Sequence, residues 1–202
     1  MPKISAATVK EHHEKMFNTL VDAAEKVLRE SGPSALTAGE VAKYAGIARN
    51  SIYRYVQSVD DLRIHVLERY LPQWKEAIDK RVDEKSDARR QILDLTLASL
   101  EMSQNTGHSW LISVMRFGNR HKNFSSDAVA HFHRELGMRI ARLWLEVEPE
   151  NARINAQINR ALLETGMKLL DGGEDFRRVS HTIISMLAGL FPEGENYAPA
   201  AL

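Results

Sequence analysis

The chain has 202 residues, with 27 basic and 27 acidic side chains, 44% hydrophobic residues and no cysteine. That length suits one large domain or two small ones, the hydrophobic share excludes a disordered chain, and the missing thiols exclude disulfides and cysteine-dependent zinc sites. Met1–Ser5 carries no signal-like apolar run, and no stretch reaches the roughly 18 apolar residues that a membrane span needs, so a cytoplasmic protein is expected. Residues 1–60 hold eight basic and seven acidic side chains, a local excess of only one, so any case for nucleic acid must rest on motif and spacing.

Helical periodicity runs nearly throughout, and the period-2 alternation of strands is missing. From about Ala7 to Ser31, Phe17, Leu20, Val21, Ala24, Val27 and Leu28 recur at three- and four-residue steps, one face of an amphipathic helix that Gly32 and Pro33 stop. A short helix follows from Thr37 to about Ala45, where Thr37 and Glu40 have the spacing of a capping box. A third runs from Arg49 to about Tyr55. A fourth is expected from about Val59 to Arg81 or beyond, with a kink or an offset at Pro72. Further helices are expected over Asp87–Thr106, Trp110–Arg120, Ser126–Glu146, Pro149–Leu170 and Asp175–Leu190. Breaks fall at Asn119–Phe124 and at glycine or proline, and the tail from Pro192 reads as frayed. The expected fold is all-α, with about nine helices: a three-helix head over residues 1–58 and a helical domain over 59–202.

The stretch Leu36–Leu62 carries the chemistry. Two short helices joined through Tyr44-Ala45-Gly46-Ile47-Ala48 have the small residue, the positive-φ residue and the apolar plug of a helix-turn-helix. The second helix then projects and can enter a major groove. Arg49 and Asn50 at its start suit guanine and adenine edges. Ser51, Tyr53, Arg54 and Tyr55 can donate to phosphates, with one tyrosine free to pack instead. Ile52 and Val56, four apart, should face the core. Thr37 reads as a helix cap that can also meet a phosphate, because helix N-termini favour anions. His12-His13 precedes the core as a surface pair, solvated or close to DNA.

At this point the chain resembles the TetR family of transcriptional regulators. The likeness rests on Leu20–Gly32, Leu36-Thr37-Ala38-Gly39-Glu40-Val41-Ala42, the turn Ala45-Gly46-Ile47-Ala48, the run Ser51-Ile52-Tyr53-Arg54-Tyr55-Val56 and Asp60-Asp61-Leu62. The motif covers about a quarter of the chain. The resemblance implies a homodimer, DNA-binding heads made of the first three helices, a ligand pocket in the middle helices, a dimer interface on the last two, and repression of a palindromic operator relieved by an inducer. Two departures stand out: Val59 replaces a common lysine that helps hold a phosphate, and Ala48 replaces a common Ser or Thr cap.

In the C-terminal part, Met102, Trp110, Met115, Phe117, Phe132, Met138, Trp144 and Met167 form a soft, aromatic set. Met102, Trp110, Met115, Phe117, Phe132 and Trp144 are the candidates for an apolar ligand site, against the simpler reading of an ordinary core. Ile158, Leu162, Thr165, Leu169, Ile183 and Leu187 lie on apolar faces of the last two long helices, which suit half of an intersubunit four-helix bundle. His108, His121, His131, His133 and His181 lack the three- or four-residue spacing of a helical metal pair, so neither metal nor cofactor is expected. No nucleophile–base set or glycine-rich phosphate loop supports the competing reading of an enzyme or carrier. The projecting polar helix argues against a pure protein adaptor. The expected partners are duplex DNA, a small-molecule effector and a second copy of the chain, with no membrane.

Overall fold

The computed structural model describes residues 6–118 and 126–192. The expected break at Asn119–Phe124, His121, the residues before Ala6 and the tail beyond Pro192 lie outside them. The described residues form nine α-helices: α1 (Ala6–Ser31), α2 (Ala38–Ala45), α3 (Val59–Glu68), α4 (Leu71–Arg81), α5 (Ala88–Thr106), α6 (His108–Gly118), α7 (Asp127–Val147), α8 (Ala152–Asp171) and α9 (Phe176–Ala188). Two 3-10 segments, Pro33–Ala35 and Arg49–Arg54, flank α2. The all-α class is as the periodicity predicts. Among the described residues, no helix is long and apolar enough to cross a membrane.

Three local features depart from expectation. The single helix foreseen over Val59–Arg81, with a kink or an offset at Pro72, is two helices broken at Arg69-Tyr70. Pro72 stands second in α4, where its missing N–H would have had no helical partner, so it starts a helix instead of bending one. The last α-helix but one begins at Ala152, past Pro149. At α2, Thr37 Oγ1 accepts from Glu40 N at 3.2 Å, while the Glu40 carboxylate lies 3.9 Å from Lys43 Nζ. A full capping box stands at α3 instead: Ser58 Oγ accepts from Asp61 N at 3.2 Å, and Asp61 Oδ2 accepts from Ser58 N at 3.0 Å and Gln57 N at 2.8 Å. Aspartate in place of the usual Glu hid this box from the sequence pattern.

By compactness the chain divides into one unit of Met1–Tyr70 with Trp110–Asp127 and another of Leu71–Ser109 with Ala128–Leu202. In the first, α1 supplies Leu20, Ala24, Val27 and Leu28, and they share a core with Val41, Ile52, Leu62, Val66 and Val114. In the second, α5 is buried continuously from Ile92 to Leu100. Helix α8 comes close to α5 at Gly166, where an added Cβ would lie 2.8 Å from Leu100 Cδ2 and 3.3 Å from Ile183 Cγ1. A buried polar chain crosses this unit: Trp144 Nε1 donates to Asn159 Oδ1, and Asn159 Nδ2 donates to Thr96 Oγ1, both at 3.2 Å. Asn159 and Trp144 are fully buried, so each bond is made where water cannot replace it.

Replacing Asn159 with Leu would strand the Trp144 indole N–H and is expected to lower stability by about 1–3 kcal/mol. Urea titration should show a lower midpoint at unchanged slope; an unchanged midpoint would mean that the chain of bonds adds nothing.

Candidate nucleic-acid interface and effector residues

The segment Arg49–Arg54 is a 3-10 helix rather than the α-helix foreseen. Its bonds run three residues back, with Ser51 N to Ala48 O and Tyr55 N to Ile52 O, both at 2.9 Å. The local sequence explains the tighter winding. Ala48 offers no capping oxygen, and the branched and aromatic side chains Ile52, Tyr53 and Tyr55 lose rotamer freedom in an α-helix. Gly46 turns the chain into it at φ 68°, and the Gly46 and Ile47 amides both reach Ala42 O.

Ile52 and Val56 anchor the segment in the head's core. Arg49, Asn50, Tyr53 and Arg54 are exposed, while Ser51 and Tyr55 are half-buried. The two tyrosines therefore differ. Tyr53 is 51% exposed, whereas the Tyr55 ring centre lies 4.8 Å from that of His13 on α1. Thr37 is exposed at the start of α2 and already holds the Glu40 amide. The structure thus brings the six residues from Arg49 to Tyr55 that were singled out onto one short element, with Thr37 at the start of the neighbouring helix.

The same unit holds a network that local patterns did not reveal. Glu25 on α1 accepts from the Tyr70 hydroxyl and pairs with Arg29 Nε at 3.0 Å and Arg69 Nη1 at 3.1 Å. Arg29 Nη2 donates to the Tyr70 hydroxyl at 2.6 Å, and its guanidinium stands 3.9 Å from the Trp110 ring centre. Trp110 Nε1 in turn donates to Leu28 O at 3.3 Å. Arg63, only 2% exposed, binds Asp60 Oδ1 at 2.7 Å and Pro33 O at 2.8 Å, and lies 5.0 Å from the Phe117 ring centre. Trp110 and Phe117 are seven residues apart, two turns along one face of α6, with buried Val114 between them. Two arginines of α1 and α3 thus each cover an aromatic of α6.

The six candidate ligand residues consequently separate. Trp110, Met115 and Phe117 sit on α6 in the first unit, where Trp110 and Phe117 already pack against arginines. Met102, Phe132 and Trp144 sit in the second unit; Met102 and Trp144 are buried and Phe132 is half-buried. The dimer candidates separate as well. On α8, Thr165 is exposed, Ile158 is 37% exposed, Leu169 is 43% exposed and Leu162 is half-buried. On α9, Ile183 and Leu187 are 3% and 0% exposed and belong to the chain's own core, because that face meets α5 and Gly166 of α8. Two further apolar residues of these two helices also point outward: Met186, 54% exposed, and Ile154, 50% exposed.

Burial alone would raise the Glu25 carboxyl, but hydrogen bonds from Tyr70 and Arg29 and the charges of Arg29 and Arg69 outweigh it and hold it below its ordinary 4.5. A depressed carboxylate stabilises the fold above its unfolded value, and that stability is lost as pH falls through the folded value. Wild type should therefore lose stability on going from neutral pH to below 4.5. Glu25→Gln should be less stable at neutral pH and should lose less on acidification, as read by urea titrations at the two pH values. Equal losses would show that Glu25 does not carry this dependence.

Residues 20–66 match the family model of bacterial regulatory proteins, tetR family. Over 76 residues the chain is 29% identical to the fatty acid metabolism regulator protein of Bacillus subtilis, covering 38% of this chain and 39% of the relative. The chain thus spans about two fifths of the length of that curated relative. Among solved structures, a TetR-family transcriptional regulator from Streptomyces coelicolor superposes with a TM-score of 0.69 at 15% identity, over 87% of this chain and 94% of the other. The fatty acid degradation regulator FadR from Bacillus halodurans gives 0.65 at 18% identity, over 87% and 95%. A TetR-like transcriptional regulator from a Rhodococcus species gives 0.64 at 18% identity, over 93% and 96%. At such identities these likenesses speak for the fold, while the match at residues 20–66 speaks for the head. Residues 20–66 thus carry the head described by that family model, and the described chain shares the fold of these regulators.

Proposed function

We propose that this protein is a cytoplasmic, ligand-responsive repressor that binds a palindromic operator as a homodimer and catalyses no reaction. The observation that carries the reading is the Arg49–Arg54 segment, which presents Arg49, Asn50, Tyr53 and Arg54 to solvent while Ile52 holds it in the core. Arg49 and Asn50 are assigned to base edges, and Ser51, Tyr53 and Arg54 to phosphates. Tyr55 contacts phosphate from beside His13, and Thr37 adds the dipole of α2 to its capping bond. By function, residues 1–58 bind operator and residues 59–202 bind effector and partner, although in compactness α3 and α6 group with the head.

Dimerisation is assigned to the outward face of α8 with Met186 of α9. Ile154, Ile158, Leu169 and Met186 leave an apolar surface that a second copy can cover in a four-helix arrangement. Two heads so joined would meet half-sites about 34 Å apart. An effector that favours another head spacing then lowers operator affinity by linkage. Two of the similar proteins are named for fatty acid metabolism or degradation, which supports an effector with an acyl chain.

Selection from a random duplex library should enrich a two-fold symmetric site, and Arg49→Ala should relax preference at one position in each half, at a cost of about 1–3 kcal/mol. Enrichment of no sequence at low salt would sink the regulator reading. For the interface, the double variant Ile158→Asp and Leu169→Asp should sediment as a monomer with its helix content intact; a dimer that survives it would place the interface elsewhere.

A further inference from the structure

Helix α1 runs well beyond the core it serves. Its buried residues begin at Leu20, and none of residues 9–19 is buried. Two rings on that stretch are nevertheless engaged. His13 and Phe17 stand four residues apart, about one turn along the same helix face. The Phe17 ring meets that of His65 on α3 edge-on, with centres 4.9 Å apart and planes at 80°. The His13 ring meets that of Tyr55, with centres 4.8 Å apart and planes at 40°. Phe17 thus ties α1 to α3, and His13 ties it to the segment assigned to DNA.

Tyr55 has need of such a tie. It closes the Arg49–Arg54 segment, and its amide donates to Ile52 O at 2.9 Å. Ile52 and Val56 are buried, whereas the Tyr55 side chain is only half-buried. A tyrosine on a short surface element samples several rotamers, and it loses that freedom when its hydroxyl meets a phosphate. A ring fixed before binding has already lost it. The hydroxyl itself is available: Tyr44 and Tyr70 donate theirs to Glu30 and Glu25, while that of Tyr55 bonds no residue among those described. Tyr53, 51% exposed, has no ring against it among the described residues, so the two tyrosines differ in how far they are prearranged. Histidine suits the position opposite Tyr55. Residue 13 is exposed, and an imidazole can lay an apolar face on the phenol while its polar edge stays in water.

We propose that His13 is a positioning residue of the operator interface: its ring holds Tyr55 in the rotamer that delivers the hydroxyl to a phosphate. The exposed stretch of α1 then acts as a strut for the recognition segment. The assignment rests on the operator-binding reading above and adds to it a residue outside the helix-turn-helix. His13 acts through the ring contact and neutralises no phosphate itself.

The test uses the full chain and the operator that wild type selects, with binding measured over a range of salt concentrations. His13→Ala should melt as wild type does but bind operator about two- to tenfold more weakly, the effect of leaving one side chain to be ordered on binding. His13→Phe, which keeps a ring and carries no charge, should restore wild-type affinity. In a Tyr55→Ala background, His13→Ala should change affinity no further. The salt slope should be the same in His13→Ala as in wild type, because no charged phosphate contact is lost. Without DNA, isotope-labelled tyrosine reports the contact directly. The Tyr55 ring signal, identified among the five tyrosines by its loss in Tyr55→Phe, should move toward its free-chain position in His13→Ala. An unmoved signal, unchanged operator affinity in His13→Ala, an equal loss in the Tyr55→Ala background, or no rescue by His13→Phe would each overturn the proposal. A salt slope smaller by about one would put His13 on a phosphate directly and overturn it too. If wild type selects no duplex, the regulator reading fails and takes the proposal with it. An operator that His13→Ala binds as well as wild type does removes the proposal alone.

Discussion

A six-residue 3-10 segment makes too few internal bonds to hold its own shape in water. Everything the head presents therefore depends on its attachment, and the attachment is the burial of Ile52, helped by Val56 one turn on. Full burial of an isoleucine contributes about 1.5–3 kcal/mol, which offsets only part of the roughly 6–12 kcal/mol that ordering six residues costs, so Val56 and the segment's own hydrogen bonds must add to it. Gly46 completes the constraint, since its left-handed conformation lets two short elements meet within the same core. The polar residues between Arg49 and Arg54 can then be exposed together because they need not stabilise the element that carries them.

The same logic extends inward through arginines. Arg29 and Arg63 are placed where a lysine would serve poorly. Each uses a planar guanidinium to bond a side-chain or backbone oxygen at its edge while facing the Trp110 or Phe117 ring. Burial pushes Arg63 below its ordinary value, and the Asp60 charge and hydrogen bond oppose that shift. Helix α6 is consequently held to α1 and α3 by contacts that depend on ring position as well as on apolar area. A displacement of α6 would have to break directional contacts, not slide over a greasy surface, and such contacts favour discrete arrangements over gradual drift.

Much of the head was legible in the sequence because its signals are local. The Thr37 cap, the Gly46 turn and the Ile52–Val56 pair each depend on residues within a few positions of one another, and the structure places them accordingly. What escaped is non-local or chemically ambiguous. Trp110 reads as a pocket residue in a list of aromatics, and only tertiary structure reveals Arg29, far away in sequence, over its ring. Ile183 and Leu187 have the spacing of an interface helix, but spacing cannot say whether an apolar face is covered by the same chain or by another. The approach of α5 at Gly166 decided that. Arg49–Arg54 was foreseen as a helix, but its tighter winding follows from a missing cap that patterning does not weigh.

Charge sets the remaining terms. With a net charge of zero over the whole chain and almost none over residues 1–60, the head has little long-range attraction for DNA. Non-specific affinity grows with each phosphate neutralised by Lys or Arg, and here Val59 stands where the TetR resemblance expects a further cation. On the proposed function, a head so poor in cations would take its affinity from directional contacts and from the joining of two heads, rather than from a general field. Joining raises the effective concentration of the second head at its half-site only while the span between heads fits the operator. The weaker each head is alone, the larger the share of operator affinity that depends on that span, and the more completely a modest change in spacing can switch the complex off. In the homodimer proposed above, the low charge of the head and the apolar outward face of α8 would in this sense be complementary parts of one switch.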